Sequence, residues 1–123
     1  MNKDEIKEFR MMARHIVSKE LTGHNVQGDI MCIEDYLMQH GARSADEASI
    51  AWRVEAARQL KALKSEYEAL HHMAVAAFFA NGCDHTAPDV QTAIRKAEAV
   101  GKLIGKDRDD VERDIAEECE ARE

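Results

Sequence analysis

Apolar residues recur along the middle of the chain with the alternating three- and four-residue spacing of helices that pack along a shared seam. They lie in a segment, 45–80, that contains no proline and no glycine. A helix of this length extends about 54 Å, whereas a compact chain of this size measures about 35–40 Å across. The sequence therefore predicts one long central helix that kinks, protrudes or is covered by a second chain. The seam residues are Leu60, Leu63, Tyr67, Leu70, Ala74 and Ala77.

Four further amphipathic segments flank this helix and complete the prediction of an all-α bundle of about five helices. They span 3–20, 25–40, 87–104 and 108–121. A capping side chain stands three residues before an acid at Asn2, Ser44, Thr86 and Asp107, which marks four helix starts. One proline and an aromatic content of 5% also favour helices over sheets. The length of 123 residues predicts a single helical domain over 1–123.

The C-terminal end of the central helix is apolar on every side over 73–80, which predicts burial all round. Together with the excess length of that helix, this run predicts that two copies of the chain form a homodimer. The residues expected to carry self-association are Leu63, Tyr67, Leu70, Phe78 and Phe79.

Negative charge is concentrated at the C-terminal end of the chain. Residues 107–123 contain nine acids and three bases, whereas residues 1–106 contain 15 acids and 14 bases. An acidic helix at about 107–123 excludes direct nucleic-acid binding, because such binding depends on a basic surface that neutralises phosphates. The density of carboxylates is comparable to that of phosphates along a nucleic-acid strand, so the helix can mimic one. Its candidate partner-binding acids are Asp109, Asp110, Asp114, Glu117 and Glu118.

The leading functional hypothesis is a non-catalytic, regulatory protein that binds another protein through this acidic surface. In size, acidity and lack of catalytic motifs the chain resembles, in type only, phage-encoded inhibitors of host proteins. Two alternatives stay open for the acidic helix, which are ion pairing with bases of its own chain and simple solvation. Its narrow apolar stripe of Val111, Ile115 and Cys119 predicts a peripheral helix that can be removed without loss of the fold.

No sequence motif for catalysis is present, since the chain has no glycine-rich phosphate loop, no GxSxG elbow and no HExxH pair. We therefore expect no enzyme activity and no cofactor. The alternative function is a small zinc-binding helical protein. Its candidate ligands are His71 and His72 in the central helix together with Cys83 and His85 in the loop that follows.

The cellular setting is predicted from cysteine usage and hydropathy. Three scattered cysteines form no CxxC pair, which indicates a reducing compartment. The N-terminal sequence is charged where a signal peptide is apolar, and the longest apolar run is too short to span a bilayer. We expect a cytoplasmic protein without membrane contact.

Overall fold

The computed structural model describes residues 1–122, and within that range the chain is helical with no strand. The predicted all-α fold with five helices is confirmed. All five helices lie within about two residues of the predicted spans. The helices are α1 (Lys3–Leu21), α2 (Gln27–Gln39), α3 (Ala45–Ala80), α4 (Pro88–Leu103) and α5 (Arg108–Arg122).

Local capping explains most of these starts. The Asn2 side chain accepts a hydrogen bond from the Glu5 backbone N–H at 2.9 Å, and the Glu5 carboxylate accepts one from the Asn2 N–H at 3.3 Å. Asp107 and Asp110 form the same reciprocal capping box at the start of α5, with distances of 2.8 and 3.0 Å. At α4 the prediction is wrong by one residue, because the helix begins at Pro88 and Ala87 occupies the cap position. Proline favours the first helical position because its missing N–H has no helical partner there.

The chain divides into two compact units, Met1–Ala62 and the residues from Leu63 onward. The prediction of one domain did not anticipate this division. α3 contributes its first 18 residues, through Ala62, to the first unit and the rest to the second. Of the predicted seam residues, Leu60 lies in the first unit and the other five lie in the second. The α3 residues in the core of the first unit are Ala48 and Trp52, which lie outside the predicted seam.

The first unit packs α1, α2 and the beginning of α3 around one apolar cluster. Its members are Phe9, Ala13, Ile16, Ile33, Leu37, Ala48 and Trp52. Glu55 is the buried charged residue of this unit, at 5% exposure. Its carboxylate accepts a hydrogen bond from Gln59 Nε2 at 3.0 Å and lies 3.6 Å from Arg10 Nε, so the buried charge is compensated.

The second unit packs the end of α3 against α4 and α5. Helix α5 is not peripheral as the sequence predicted, since Val111 is fully buried and Ile115 and Cys119 are each only 8% exposed. Three buried positions suffice for α5 to complete a core of three short helices. The core residues are Tyr67, Ala74, Val75, Val90, Ile94, Ala97, Val100, Val111, Ile115 and Cys119.

The predicted all-round burial of 73–80 is wrong for the single chain. Ala74 and Val75 are fully buried, but the Met73 side chain is 58% exposed and Ala76 is exposed. A helix of a three-helix unit buries only the faces that meet its two neighbours, so one apolar face of this run remains at the surface. No helix of the described residues combines the length and the apolarity needed to cross a membrane.

Candidate functional site

In the second unit two polar contacts join α3 to α5. Tyr67 meets Asp114, and His71 meets Glu118. Each helix supplies its two residues with a spacing of four, which places them one turn apart on the same face. The two contacts therefore lie one above the other along the α3–α5 boundary.

Tyr67 and Asp114 form the first contact, which also includes Lys106. The Tyr67 hydroxyl donates to Asp114 Oδ2 at 2.5 Å, and Lys106 Nζ donates to the same oxygen at 2.7 Å. Burial, reinforced by the Asp114 carboxylate, raises the pKa of Tyr67 far above its ordinary value. Burial alone raises the pKa of Asp114, but the hydrogen bonds from Lys106 and Tyr67 outweigh it and lower that pKa. Asp114 is therefore an ionised, internally paired carboxylate at neutral pH.

Glu118 forms the second contact with two adjacent histidines. Its side chain is only 17% exposed; Oε1 contacts His72 Nδ1, and Oε2 lies 3.5 Å from His71 Nδ1. His71 Nδ1 and Glu118 Oε2 are both shielded from solvent and have no hydrogen-bond partner. Burial lowers the pKa of His71, against the opposing effect of the Glu118 carboxylate. A neutral imidazole and a carboxylate thus face each other without forming a hydrogen bond.

The five acids predicted as one partner-binding surface do not form a single exposed row. Asp114 and Glu118 are half-buried in the contacts just described, and Asp110 is half-buried, capping α5 and lying 3.2 Å from Arg113. Asp109 and Glu117 are exposed. The internal pairing that the sequence left as an alternative thus occurs for three of the five, and partner binding by the acidic helix stays a prediction.

A groove of about 420 Å³ in the first unit, on α1, contrasts with this acidic helix. Four basic side chains and two apolar ones line it, together with Gln59. Arg10 on its wall is also the residue that lies beside the buried Glu55. The basic side chains are Lys3, Lys7, Arg10 and Arg14, and the apolar ones are Ile6 and Met11.

A larger groove, about 510 Å³, runs between α4 and α5 in the second unit. Its volume falls within the range of about 300–1,000 Å³ that is typical of binding pockets. Two acids, Glu112 and Glu120, stand on the α5 side. Sequence reasoning missed this groove, because its walls come from three separate helices and the loop after α3. The apolar lining consists of Phe78, Val90, Ile94, Ile115, Ala116 and Cys119.

A chain of hydrogen bonds orders the polar rim of this groove. Gln91 Nε2 donates to the His85 carbonyl at 2.6 Å, and Gln91 Oε1 accepts from Arg108 at 3.2 Å. Arg108 also donates to Glu112 at 2.9 Å. Glu112 is therefore partly neutralised by Arg108, whereas Glu120 is an exposed acid at the opposite end of the α5 wall.

The residues predicted to carry self-association are engaged within the single chain. Leu63 is fully buried and Tyr67 is 6% exposed. Phe78 and Phe79 are half-buried against the core of the second unit, with ring centroids 5.5 Å apart. Leu70 is half-buried as well, and it lines a small groove of about 200 Å³ together with the exposed Met73.

The candidate zinc ligands are divided by the structure. One group of three potential ligands has all its ligand atoms within 4.8 Å, and it consists of His71, His72 and Glu118. Among the described residues neither Cys83 nor His85 belongs to such a group. Both are exposed in the loop after α3, where Cys83 takes a left-handed backbone conformation with φ of 62°. The sequence identified Glu118 as a partner-binding acid but not as a potential metal ligand, because a half-buried acid and an exposed one look alike in a charged helix.

Comparisons of this chain with protein-family models, with curated proteins and with solved structures return no match.

Proposed function

We propose that this protein is a non-catalytic binding protein whose α4–α5 groove holds a basic amphipathic segment of a partner protein. The observation that supports this proposal is the combination of an apolar floor and an acidic α5 wall in one groove of about 510 Å³. A helix lies in such a groove through apolar side chains that recur every three or four residues. Basic residues on its flank then face Glu120, while Glu112 is already engaged by Arg108.

The acidity of the second unit supports the same choice of partner. Residues 63–123 carry 14 acids and eight bases, whereas residues 1–62 carry ten acids and nine bases. A net charge of −6 on the unit that holds the groove attracts a basic segment and speeds its association. Masking a basic segment of a partner is one way for a regulatory protein to block that partner. The setting that we propose is a reducing compartment such as the cytoplasm.

A pair of charge reversals on α5 tests the groove. The probe is a fluorescent 18-residue helical peptide of leucine and lysine, with leucines at the helical spacing. We expect Glu120→Lys to weaken peptide binding several-fold more than Glu117→Lys, because only Glu120 lines the groove while both positions are exposed. Fluorescence anisotropy at two salt concentrations measures the difference. Equal weakening by both variants means that net charge alone attracts the peptide, and it contradicts the groove.

A second copy of the chain is a further candidate partner, favoured by the exposed Met73. This side chain stands beside the small α3–α4 groove that Leu70, Ala77 and Ala93 also line. We propose that the central helix is continuous over 45–80. We further propose that two copies of the chain pack against each other through this face and form a homodimer. Light scattering on wild-type protein and on Met73→Glu tests the idea. A wild-type mass of 13.9 kDa at micromolar concentration contradicts it.

A further inference from the structure

Three side chains that are suited to a transition-metal ion converge at the α3–α5 boundary of the second unit. His71 and His72 extend from α3 and Glu118 from α5, and one ligand atom from each lies within 4.8 Å of the other two. None of the three lines the α4–α5 groove. The cluster is therefore a feature of its own, separate from the proposed peptide site.

Two buried atoms of this cluster have unmet bonding capacity. His71 Nδ1 and Glu118 Oε2 are shielded from solvent and make no hydrogen bond. Buried polar atoms in folded proteins are almost always paired, and an unpaired one calls for an explanation such as an ion. Because the two unpaired atoms face each other, a single ligand between them satisfies both.

The separation of these atoms fits a shared metal ion better than a hydrogen bond. His71 Nδ1 and Glu118 Oε2 are 3.5 Å apart. A charge-assisted hydrogen bond between nitrogen and oxygen is shorter, about 2.7–2.9 Å. Two ligands that each lie about 2.0–2.2 Å from a tetrahedral zinc ion are separated by about 3.4 Å. The observed spacing is thus compatible with two atoms bound to one ion.

We propose that His71, His72 and Glu118 form a binding site for a divalent transition-metal ion, with Zn²⁺ as the ion that the ligand set fits best. Imidazole nitrogens favour zinc and its neighbours, whereas Mg²⁺ and Ca²⁺ prefer oxygen ligands throughout. Three protein ligands leave a fourth tetrahedral position for water. The ion joins α3 to α5 and so stabilises the second unit.

His72 is the adjustable member of the site. Its side chain is 48% exposed, and its Nδ1 contacts Glu118 Oε1. Ligation requires this imidazole to release the carboxylate oxygen and turn its lone pair toward the ion, and its exposure leaves room for the rotation. Adjacent residues on a helix point about 100° apart, so His72 approaches the ion from a different direction than His71.

Titration of the untagged full-length protein with Zn²⁺ tests the site, because a histidine tag binds the same ion. We expect one ion per chain by isothermal titration calorimetry and a rise in melting temperature, since an ion that binds only the folded state stabilises it. Glu118→Gln and His71→Asn are each expected to weaken binding by at least about tenfold, the order of loss that even outer-shell substitutions reach at metal sites. The matched control is His85→Asn, which removes an exposed imidazole of the same unit and is expected to leave affinity unchanged.

A second measurement on the wild-type chain keeps the test valid if a variant does not fold. Nitrogen-15 NMR of the imidazole rings is expected to show Zn²⁺-induced shifts at Nδ1 of His71 and His72, with the other four histidines unchanged. Co²⁺ is expected to give the intense visible absorption of a tetrahedral complex. No binding at micromolar Zn²⁺, shifts at His85 instead, or full affinity in folded Glu118→Gln each overturn the proposal.

Discussion

The two units are built alike but use their polar residues in different ways. Each packs three helical segments around one apolar cluster whose central side chains are fully buried, such as Ile33 in the first unit and Val111 in the second. In the first unit the buried Glu55 is paired and the exposed groove is basic. Buried atoms without a hydrogen-bond partner occur in both units, at Trp52 Nε1 in the first and at His71 Nδ1 and Glu118 Oε2 in the second, but the second unit sets an imidazole against a carboxylate, 3.5 Å apart. The larger groove of the second unit is acid-walled. Similar architecture therefore does not imply similar function, which depends on the chemistry of particular sites.

A charge placed on the buried face of α5 tests whether this helix is part of the core or a removable acidic appendage, and it is expected to change stability more than any other substitution considered. Val111→Asp places an unpaired charge in the core of the second unit, where Val111 is fully buried. We expect a loss of more than about 3 kcal/mol of unfolding free energy. Ala121→Asp introduces the same carboxylate at an exposed position of α5 and serves as the control. Urea denaturation followed by circular dichroism measures both, and near-equal midpoints contradict the assignment of α5 to the core.

A smaller effect compares the tyrosine hydroxyls of the two units. Tyr67→Phe removes a donor to the ionised Asp114, and hydrogen bonds to charged groups contribute about 1.5–3 kcal/mol. Tyr36→Phe is the matched change in the first unit, where the hydroxyl donates to the uncharged backbone carbonyl of Glu5 at 3.2 Å. Chemical denaturation of both variants at pH 7 is expected to show the larger loss for Tyr67→Phe. The reverse order is inconsistent with a strong Tyr67–Asp114–Lys106 contact.

The acid sensitivity of the second unit should depend on Asp114. Its pKa in the folded chain lies below the ordinary value of 3.8, because the hydrogen bonds from Lys106 and Tyr67 outweigh burial. Ionised Asp114 therefore stabilises the fold well above pH 3.8, and this contribution is lost as the pH falls through that value toward the folded pKa. Asp114→Asn is expected to destabilise the protein at pH 6 and to make less difference at pH 3.

Asp109→Asn removes the same charge from an exposed position of α5 and controls for net charge. Melting temperatures of the wild type and both variants between pH 3 and pH 7 provide the comparison. Parallel curves for wild type and Asp114→Asn are incompatible with the inferred ionisation of Asp114.

Helix positions could be predicted because their signals are local. The caps at Asn2, Ser44 and Asp107 each act within three residues, and each side chain accepts the backbone hydrogen bond that the sequence indicated. Thr86 misled the prediction because its N–H and hydroxyl bond to Asp84 in the preceding turn, while Ala87 and Pro88 start the helix. Such competition between turn and cap cannot be resolved from spacing alone.

The division into two units and the candidate sites could not be predicted, because they depend on which helix faces meet. Leu63 and Tyr67 fit a seam between two chains as well as a core within one chain. The narrow apolar stripe of α5 predicted a peripheral helix, yet its three buried residues are enough to complete a small three-helix core. Glu118 becomes a candidate metal ligand only because the fold places it beside His71, which is 47 residues away in the chain.

The α4–α5 groove is the centre of the proposed function, and NMR mapping of the leucine–lysine peptide on uniformly labelled protein tests it most directly. Peptide-induced backbone shifts are expected to concentrate at the groove residues Ile94, Ile115 and Ala116 and to leave α1 unchanged. Shifts that centre on α1, or that spread evenly over the exposed acids of α5 with no change at the apolar floor, contradict it.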